Sequence, residues 1–287
     1  MPTNETGKLI QELRIRAGFS QKKLAAALHI TDKAISKWER GISLPEVSLL
    51  PKLSLLLDTD MEMLLANSMD LDDWVGLIDI YGTDFSQIVY DKPLVYYLLC
   101  HYILVGIKKI YVLTDERNQK YLKSDLMQSF GLEFVFDIPK DKNMMIMDHP
   151  WFLFGSNLTK KYQSAMLSQR MVKLVPYNQE SIFYFSTNAD SGLYFSDKKK
   201  FKKSMTEKPL GRGMVCFDMD DYDKVLDVSG FVRTYQRNSG LLIGDIEEMA
   251  YKKGFIGKEV LLKLAENVPY GELLKKVEVN QRSIDET

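Results

Sequence analysis

The sequence predicts two domains of different class. An all-α five-helix domain is expected over residues 1–68, and an α/β, Rossmann-like domain with a helical C-terminal tail over 74–287, joined by a short linker at 69–73. Three observations predict this division. Up to about residue 66, apolar residues recur at helical spacing. From Val75, short β-rich runs alternate with helical ones, the pattern of a largely parallel sheet. From Tyr222 onward the helical period returns. A chain of 287 residues is long enough to bury two cores.

Composition narrows the function classes. Hydrophobic content of 45% and charged content of 27% are ordinary for a globular protein, and a net charge of −1 excludes a polycation. The charge is unevenly placed, however. Residues 5–44 carry eight basic side chains against four acidic ones, a local charge of +4. A basic module on a near-neutral body suits a nucleic-acid reader with an appended domain. Cys100 and Cys216 have no metal-type spacing, which fits a reducing cytoplasm. Met1-Pro-Thr-Asn-Glu-Thr-Gly7 has none of the apolar character of a signal peptide. The apolar run at 93–107 contains His101 and is too short to span a bilayer, so a core helix is expected there and no membrane partner.

The first helix is expected over 7–17, with Leu9, Ile10, Leu13 and Ala17 inward. Ser20 to Gly41 reads as two short helices around a tight turn. Leu24, Ala25, Leu28, Ile30, Ile35 and Trp38 supply their apolar positions. Ser20 caps the first of the pair, Thr31 or Asp32 caps the second, and Gly41 ends it. Asp32, Lys33, Ser36, Lys37 and Arg40 remain on the outer face, all able to hydrogen-bond to base edges or phosphates. That is the layout of a helix-turn-helix, whose second helix enters the major groove of duplex DNA. Helices at 46–57 and 60–66 complete the domain, with Pro45 and Pro51 in first-turn positions where a missing N–H costs nothing.

Ser20-Gln21, Leu24-Ala25, Ile35-Ser-Lys-Trp-Glu-Arg-Gly41 and Pro45 resemble the Cro-like (XRE) phage-repressor family. The resemblance covers about residues 5–66. It implies double-stranded DNA as the partner, base reading by Asp32, Lys33, Ser36 and Lys37, and backbone contacts by Gln21 and Arg40. It also matches Arg14 to a position that pairs with the Glu of the Trp-Glu-Arg segment, here Glu39. From sequence alone, two independent surface charges describe Arg14 and Glu39 equally well.

The acidic stretch Asn67-Ser-Met-Asp-Leu-Asp-Asp73 is short enough to keep the domains close. Beyond it, strands are expected at 75–80, 109–114, 133–136 and 144–148, with helices at 92–105 and 116–130. Strands at 171–175, 182–186 and 192–196 follow. The tail is expected to be helical at 222–236, 245–253, 258–266 and 270–277. Its apolar stripes, from Leu241 to Leu264, are read either as core or as the interface of a homodimer.

A second resemblance appears in this domain. Tyr90-Asp-Lys-Pro-Leu-Val-Tyr-Tyr97, Gly106-Ile-Lys-Lys-Ile-Tyr-Val-Leu-Thr114 and Gly211-Arg-Gly-Met-Val-Cys-Phe-Asp218 are similar to the sugar nucleotidyltransferases, the glucose-1-phosphate thymidylyltransferases above all. Glu247-Glu-Met-Ala-Tyr-Lys-Lys-Gly-Phe-Ile256 and Asp190-Ser-Gly-Leu-Tyr-Phe195 extend the match. That family places a long glycine-rich loop with an Arg and a Lys after the first strand, where phosphates are held and neutralised. Here the segment from Ile80 to Tyr90 has Gly82 as its single glycine and no Arg or Lys. Asp148 and Asp218 match the two positions that bind Mg²⁺ in that family, and either a retained cation site or a disused remnant is consistent with them. Glu207-Lys-Pro209 is out of order relative to the family motif, and the lysine run at 198–203 reads as a solvated loop.

The two resemblances together imply a DNA-binding transcriptional regulator with no catalytic residue and no cofactor beyond the Mg²⁺ option. Its second domain would be a degenerate nucleotidyltransferase-like body, kept for homodimerisation or for sensing a nucleotide or sugar nucleotide. A bifunctional protein that still transfers nucleotidyl groups is the alternative.

Overall fold

The computed structural model describes residues 3–57, 64, 71–168, 170–177 and 181–275. The chain divides into two compact units, Met1–Asp72 with Lys160–Leu167, and Asp73–Thr159 with Ser168–Thr287.

In the first unit, α1 (Thr3–Arg16), α2 (Gln21–Leu28), α3 (Asp32–Glu39) and α4 (Leu50–Leu56) surround a core of Ile10, Leu24, Leu28, Ile35, Trp38 and Leu53. The helix expected at 46–57 begins as a short 3₁₀ turn, Val47–Leu49, and Pro51 sits in the first turn of α4. The helix expected at 60–66 lies outside the described residues except for Leu64, which is buried. Residues 69 and 70 of the expected linker also fall outside them, and Leu71–Asp73 forms a 3₁₀ turn. Gly7 lets α1 approach α3 closely: a Cβ there would lie 2.2 Å from the Trp38 carbonyl oxygen.

The second unit is built on a seven-stranded sheet. Its strands are β1 (Trp74–Asp79), β4 (Lys109–Leu113), β5 (Glu133–Val135), β6 (Asn143–Met147), β8 (Val172–Val175), β9 (Phe183–Ser186) and β10 (Thr206–Pro209). The order is β10-β8-β9-β6-β1-β4-β5. β1 pairs in parallel with both β4 and β6, whereas β9 runs antiparallel to β6 and β8. Every residue of β1 is buried, as a central parallel strand covered on both faces requires. α5 (Leu94–Val105), the expected core helix, covers the sheet, and Gly76 admits its Tyr102 ring, which would meet a Cβ at 2.8 Å. A hairpin of β2 (Ile88–Val89) and β3 (Lys92–Pro93) precedes α5, and β7 (Trp151–Gly155) pairs antiparallel with β11 (Met214–Asp218).

Several elements differ from expectation. The helix expected at 116–130 is two helices, α6 (Glu116–Leu122) and α7 (Asp125–Gln128), interrupted at Lys123–Ser124. The strand expected at 192–196 is instead a helix, α9 (Ser191–Ser196), because Tyr194 must turn inward onto the cluster of Val75, Leu77, Met144 and Ile146. The lysine run is helical, α10 (Lys198–Ser204), with Asp197 capping the Lys200 N–H and Phe201 buried in the same cluster. β7 and a helix, α8 (Leu158–Met166), were not foreseen. The tail comprises α11 (Tyr222–Ser239), α12 (Ile246–Lys252), α13 (Lys258–Ala265) and α14 (Gly271–Lys275). Its stripes are partly core: Ile243, Ile256, Leu261 and Leu264 are buried, while Leu241 and Val260 are exposed. Among the described residues no helix is long and apolar enough to cross a membrane.

Candidate functional site

Two places in the chain concentrate chemistry: the α2–α3 pair and the C-terminal edge of the central sheet. In the first, the Ser20 hydroxyl accepts from the Lys23 N–H at 3.2 Å and Thr31 from the Ala34 N–H at 3.3 Å, so both caps form as expected, with Thr31 rather than Asp32 capping α3. His29 takes the left-handed conformation that ends α2 (φ 59°). Behind the pair, Arg14 and Glu39 are joined at 2.5 and 3.2 Å, and a third guanidinium N–H reaches the Phe19 carbonyl at 2.7 Å. Both side chains are buried, so they are not independent surface charges. Gln21 donates to the same Glu39 carboxylate at 2.7 Å. α3 therefore leaves Asp32, Lys33, Lys37 and Arg40 exposed, with Ser36 half-buried between them. Arg40 folds back to donate to the Ser36 carbonyl at 3.1 Å.

The second place follows from topology. β4 and β5 lie on one side of β1, and β6 on the other, so the strand order reverses between β1 and β6. In open α/β sheets that reversal, at the carboxyl ends of the strands, is where ligands bind. Here the crevice holds the protein's own side chains. Asp79, the last residue of β1, accepts from the Tyr194 hydroxyl at 2.7 Å and from Lys198. Asp148, just beyond β6, is paired with Lys202 at 2.7 Å. Burial disfavours the Lys202 ammonium, but its bond to Asp148 outweighs this and raises its pKa. Burial, then the Asp148 and Asp79 carboxylates, raise the Tyr194 hydroxyl.

The loop after β1 is tied down as well. The Gly82 N–H donates to Asp115 at 2.7 Å, and the Phe85 N–H to Asn118 at 3.1 Å. The Asn118 amide in turn holds the Thr83 carbonyl at 2.8 Å and the Thr114 hydroxyl at 3.0 Å. The Ser86 and Gln87 N–H groups are taken by Asp84. These backbone donors, which in a phosphate-binding loop would face a ligand, are satisfied internally.

Comparison with known proteins fits these two places. The helix-turn-helix family HTH_3 matches residues 10–64. Residues 10–64 are a helix-turn-helix domain. Beyond it lies a domain that is glucose-1-phosphate thymidylyltransferase-like. A glucose-1-phosphate thymidylyltransferase of Neisseria meningitidis is 24% identical over 262 residues, covering 66% of this chain and 90% of that protein. One from Mycolicibacterium smegmatis is 27% identical over 252 residues, covering 65% and 86%. Among solved structures, a putative glucose-1-phosphate thymidylyltransferase from Bacillus anthracis gives a TM-score of 0.44 at 12% identity, covering 56% of this chain and 95% of that one.

The nucleotidyltransferase-like domain can be tested against the Mg²⁺ its resemblance implies. That ion needs several free oxygen donors in octahedral array. Asp148 already carries the Lys202 ammonium. Asp218 takes His149 at 2.7 Å and the Asp220 N–H at 2.9 Å on one oxygen, and Lys224 at 2.7 Å on the other. Burial opposes ionisation of Asp218, but the Lys224 and His149 bonds outweigh it and hold its carboxyl below the ordinary value. Among the described residues, His149, Asp218 and Asp220 bring ligand atoms within 4.8 Å of one another, yet Lys224 lies on both carboxylates. This donor set does not fit Mg²⁺. The expected out-of-order segment Glu207-Lys-Pro209 is simply the edge strand β10, with Glu207 paired to Lys173 at 3.0 Å. Sequence reasoning missed Asp79, His149, Lys198, Lys202 and Lys224. The i,i+4 spacing of Lys198 and Lys202 around the inward Phe201, after a capping Asp197, was the available signal.

Proposed function

We propose that this protein is a sequence-specific DNA-binding transcriptional regulator, working in the cytoplasm as a homodimer. Its nucleotidyltransferase-like domain is non-catalytic, and serves dimerisation and the sensing of a nucleotide or sugar nucleotide. The observation that carries the reading is the exposed face of α3. Asp32, Lys33, Lys37 and Arg40 are presented together, while the buried Arg14–Glu39 pair, joined by the half-buried Gln21, fixes the helix that bears them. Lys33, Ser36 and Lys37 are assigned to base edges, with Asp32 beside them, and Gln21 and Arg40 to phosphates. Gln21 retains a second amide N–H for that contact while bonded to Glu39.

The non-catalytic reading is supported by the absence of Arg and Lys from the 80–90 loop, by the internal use of its backbone donors, and by the lysines that already neutralise Asp79 and Asp148. In the 80–90 loop a triphosphate would find neither cradle nor counter-charge. Similarity to thymidylyltransferases along most of their length favours the bifunctional alternative, which would require phosphate binding elsewhere in the domain. Selection of operator sequences from a random duplex library by the full chain tests the main reading. Enrichment of a two-fold-symmetric site is expected, and recovery of no preferred sequence would refute it.

A further inference from the structure

The misfit between the carboxylates and Mg²⁺ has a pattern of its own. Three aspartates stand at strand ends, Asp79 at the end of β1, Asp148 just beyond β6 and Asp218 at the end of β11, and each carries a lysine. Asp79 is bound by Lys198, Asp148 by Lys202, and Asp218 by Lys224. Two of the lysines come from one short helix, α10, and are held in register by the burial of Phe201 between them. Each of these two also lies over an aromatic ring of the same wall, Lys198 over Tyr194 at 5.0 Å and Lys202 over Tyr184 at 4.8 Å. Lys224 stands in the first turn of α11 and gathers Asp218, Asp220 and Asp221 at 2.7, 2.6 and 3.5 Å. Asp218 lies opposite Trp151 in the β7–β11 pair, and His149, next to Asp148 in the chain, is bonded to it.

We propose that Lys198, Lys202 and Lys224 are built-in counter-ions that stand in for divalent cations at these strand-end aspartates, so that the domain folds and works independently of metal. Grouped carboxylates are mutually repelled unless a cation lies among them. A lysine ammonium supplies one positive charge and three donors on a tether, and does so at any metal concentration. At Asp218 the substitution is most complete. Lys224 stands against the two carboxylates that, with His149, make a three-membered ligand set. This inference extends the non-catalytic reading. Its failure is read from metal binding, and the failure of that reading from pyrophosphate release.

The test uses the full chain and Mn²⁺, followed by the loss of the free-ion paramagnetic resonance signal and by thermal unfolding with and without the ion. Wild type should bind no Mn²⁺ at millimolar concentration, and neither Mn²⁺ nor EDTA should move its melting temperature. Lys224→Gln removes the charge, is one bond shorter and keeps two N–H donors on a half-exposed side chain, and should remain folded. It should melt lower than wild type and regain part of the difference in Mn²⁺, with affinity raised roughly tenfold or more as the adjacent positive charge is removed. Adding Asp218→Asn to that variant should abolish the gain. Equal Mn²⁺ binding by wild type and Lys224→Gln, whether both bind or neither does, overturns the proposal. So does rescue that survives Asp218→Asn.

Discussion

Arg14 and Glu39, 25 residues apart, form a paired, nearly parallel contact in which Nε meets Oε1 at 2.5 Å and Nη2 meets Oε2 at 3.2 Å, with 10% and 3% of the two side chains exposed. The pair ties the first helix to the end of the recognition helix. Fork-to-fork geometry of this kind gives orientation as well as energy. Removing one partner leaves the other charge buried and unpaired. Arg14→Ala should therefore destabilise the N-terminal unit by about 3 kcal/mol or more. Denaturant titration followed by Trp38 fluorescence measures this, and a loss below about 1 kcal/mol would show that water already screens the pair.

On the exposed face, Lys37→Ala should weaken binding to the selected operator by about 1–3 kcal/mol and relax the base preference at one position. Arg40→Ala should instead weaken binding to all sequences alike and lower the salt slope by about 1. Quantitative gel shifts at several salt concentrations separate the two roles. Unchanged affinity in Lys37→Ala would remove that residue from the base-reading set.

No nucleotidyl transfer is expected. Pyrophosphate release should stay at background across nucleoside triphosphates and common sugar 1-phosphates with Mg²⁺ present. Turnover that disappears in Asp218→Ala would instead establish the bifunctional alternative.

Glu247 lies fully buried beside Asp245, with the Tyr270 hydroxyl donating to it at 3.1 Å. Burial, then the Asp245 charge, push its pKa up to about 8. The folded state thus holds a proton that the unfolded chain releases near the ordinary glutamate value of about 4.3. Stability from this group is fully present below that lower value, declines as pH rises, and is lost on passing about 8. Glu247→Gln, which mimics the protonated form, should flatten the melting-temperature profile across that window. An unchanged slope would assign the pH dependence to other groups.

The homodimer should be held mainly by the C-terminal domain, since repressor heads read two half-sites about 34 Å apart through a two-fold axis. The burial of Ile243, Ile256, Leu261 and Leu264 narrows the surface available for this. Tyr222, Leu226 and Leu241 are the large apolar side chains left exposed at or next to α11. Sedimentation of the full chain at micromolar concentration should give a dimer that Leu226→Asp and Leu241→Asp weaken. A monomer throughout would contradict the two-fold model.

The helix-turn-helix and the central strands were legible in sequence because their signals are local. Ser20, Thr31 and the Leu24–Leu28–Ile35–Trp38 spacing specify capped and buried positions, and β1 and β6 carry the apolar runs 74–78 and 144–147. The crevice was not legible. Ser191 to Ser196 has the aromatic content of a strand, and it turns helical because Tyr194 both packs under the sheet and hydrogen-bonds Asp79, 115 residues away. A lysine-rich run reads as solvated unless its partners are known, and Asp79 and Asp148 lie 119 and 54 positions earlier than Lys198 and Lys202 respectively. Contacts at such separation leave no period in the sequence.

The clasp that Asp115 and Asn118 place on the 80–87 loop has an evolutionary and engineering consequence. A loop that had merely shortened could be lengthened again, and each added glycine would be a small step back toward phosphate binding. Here insertion alone would leave the Gly82 and Phe85 N–H groups bound to α6 and its cap, while removal of Asn118 alone would orphan buried backbone groups and destabilise the domain. The two changes help only together. On the proposed non-catalytic reading, poorly folded intermediates would separate this domain from a phosphate-binding form, and the architecture would be hard to reverse one mutation at a time.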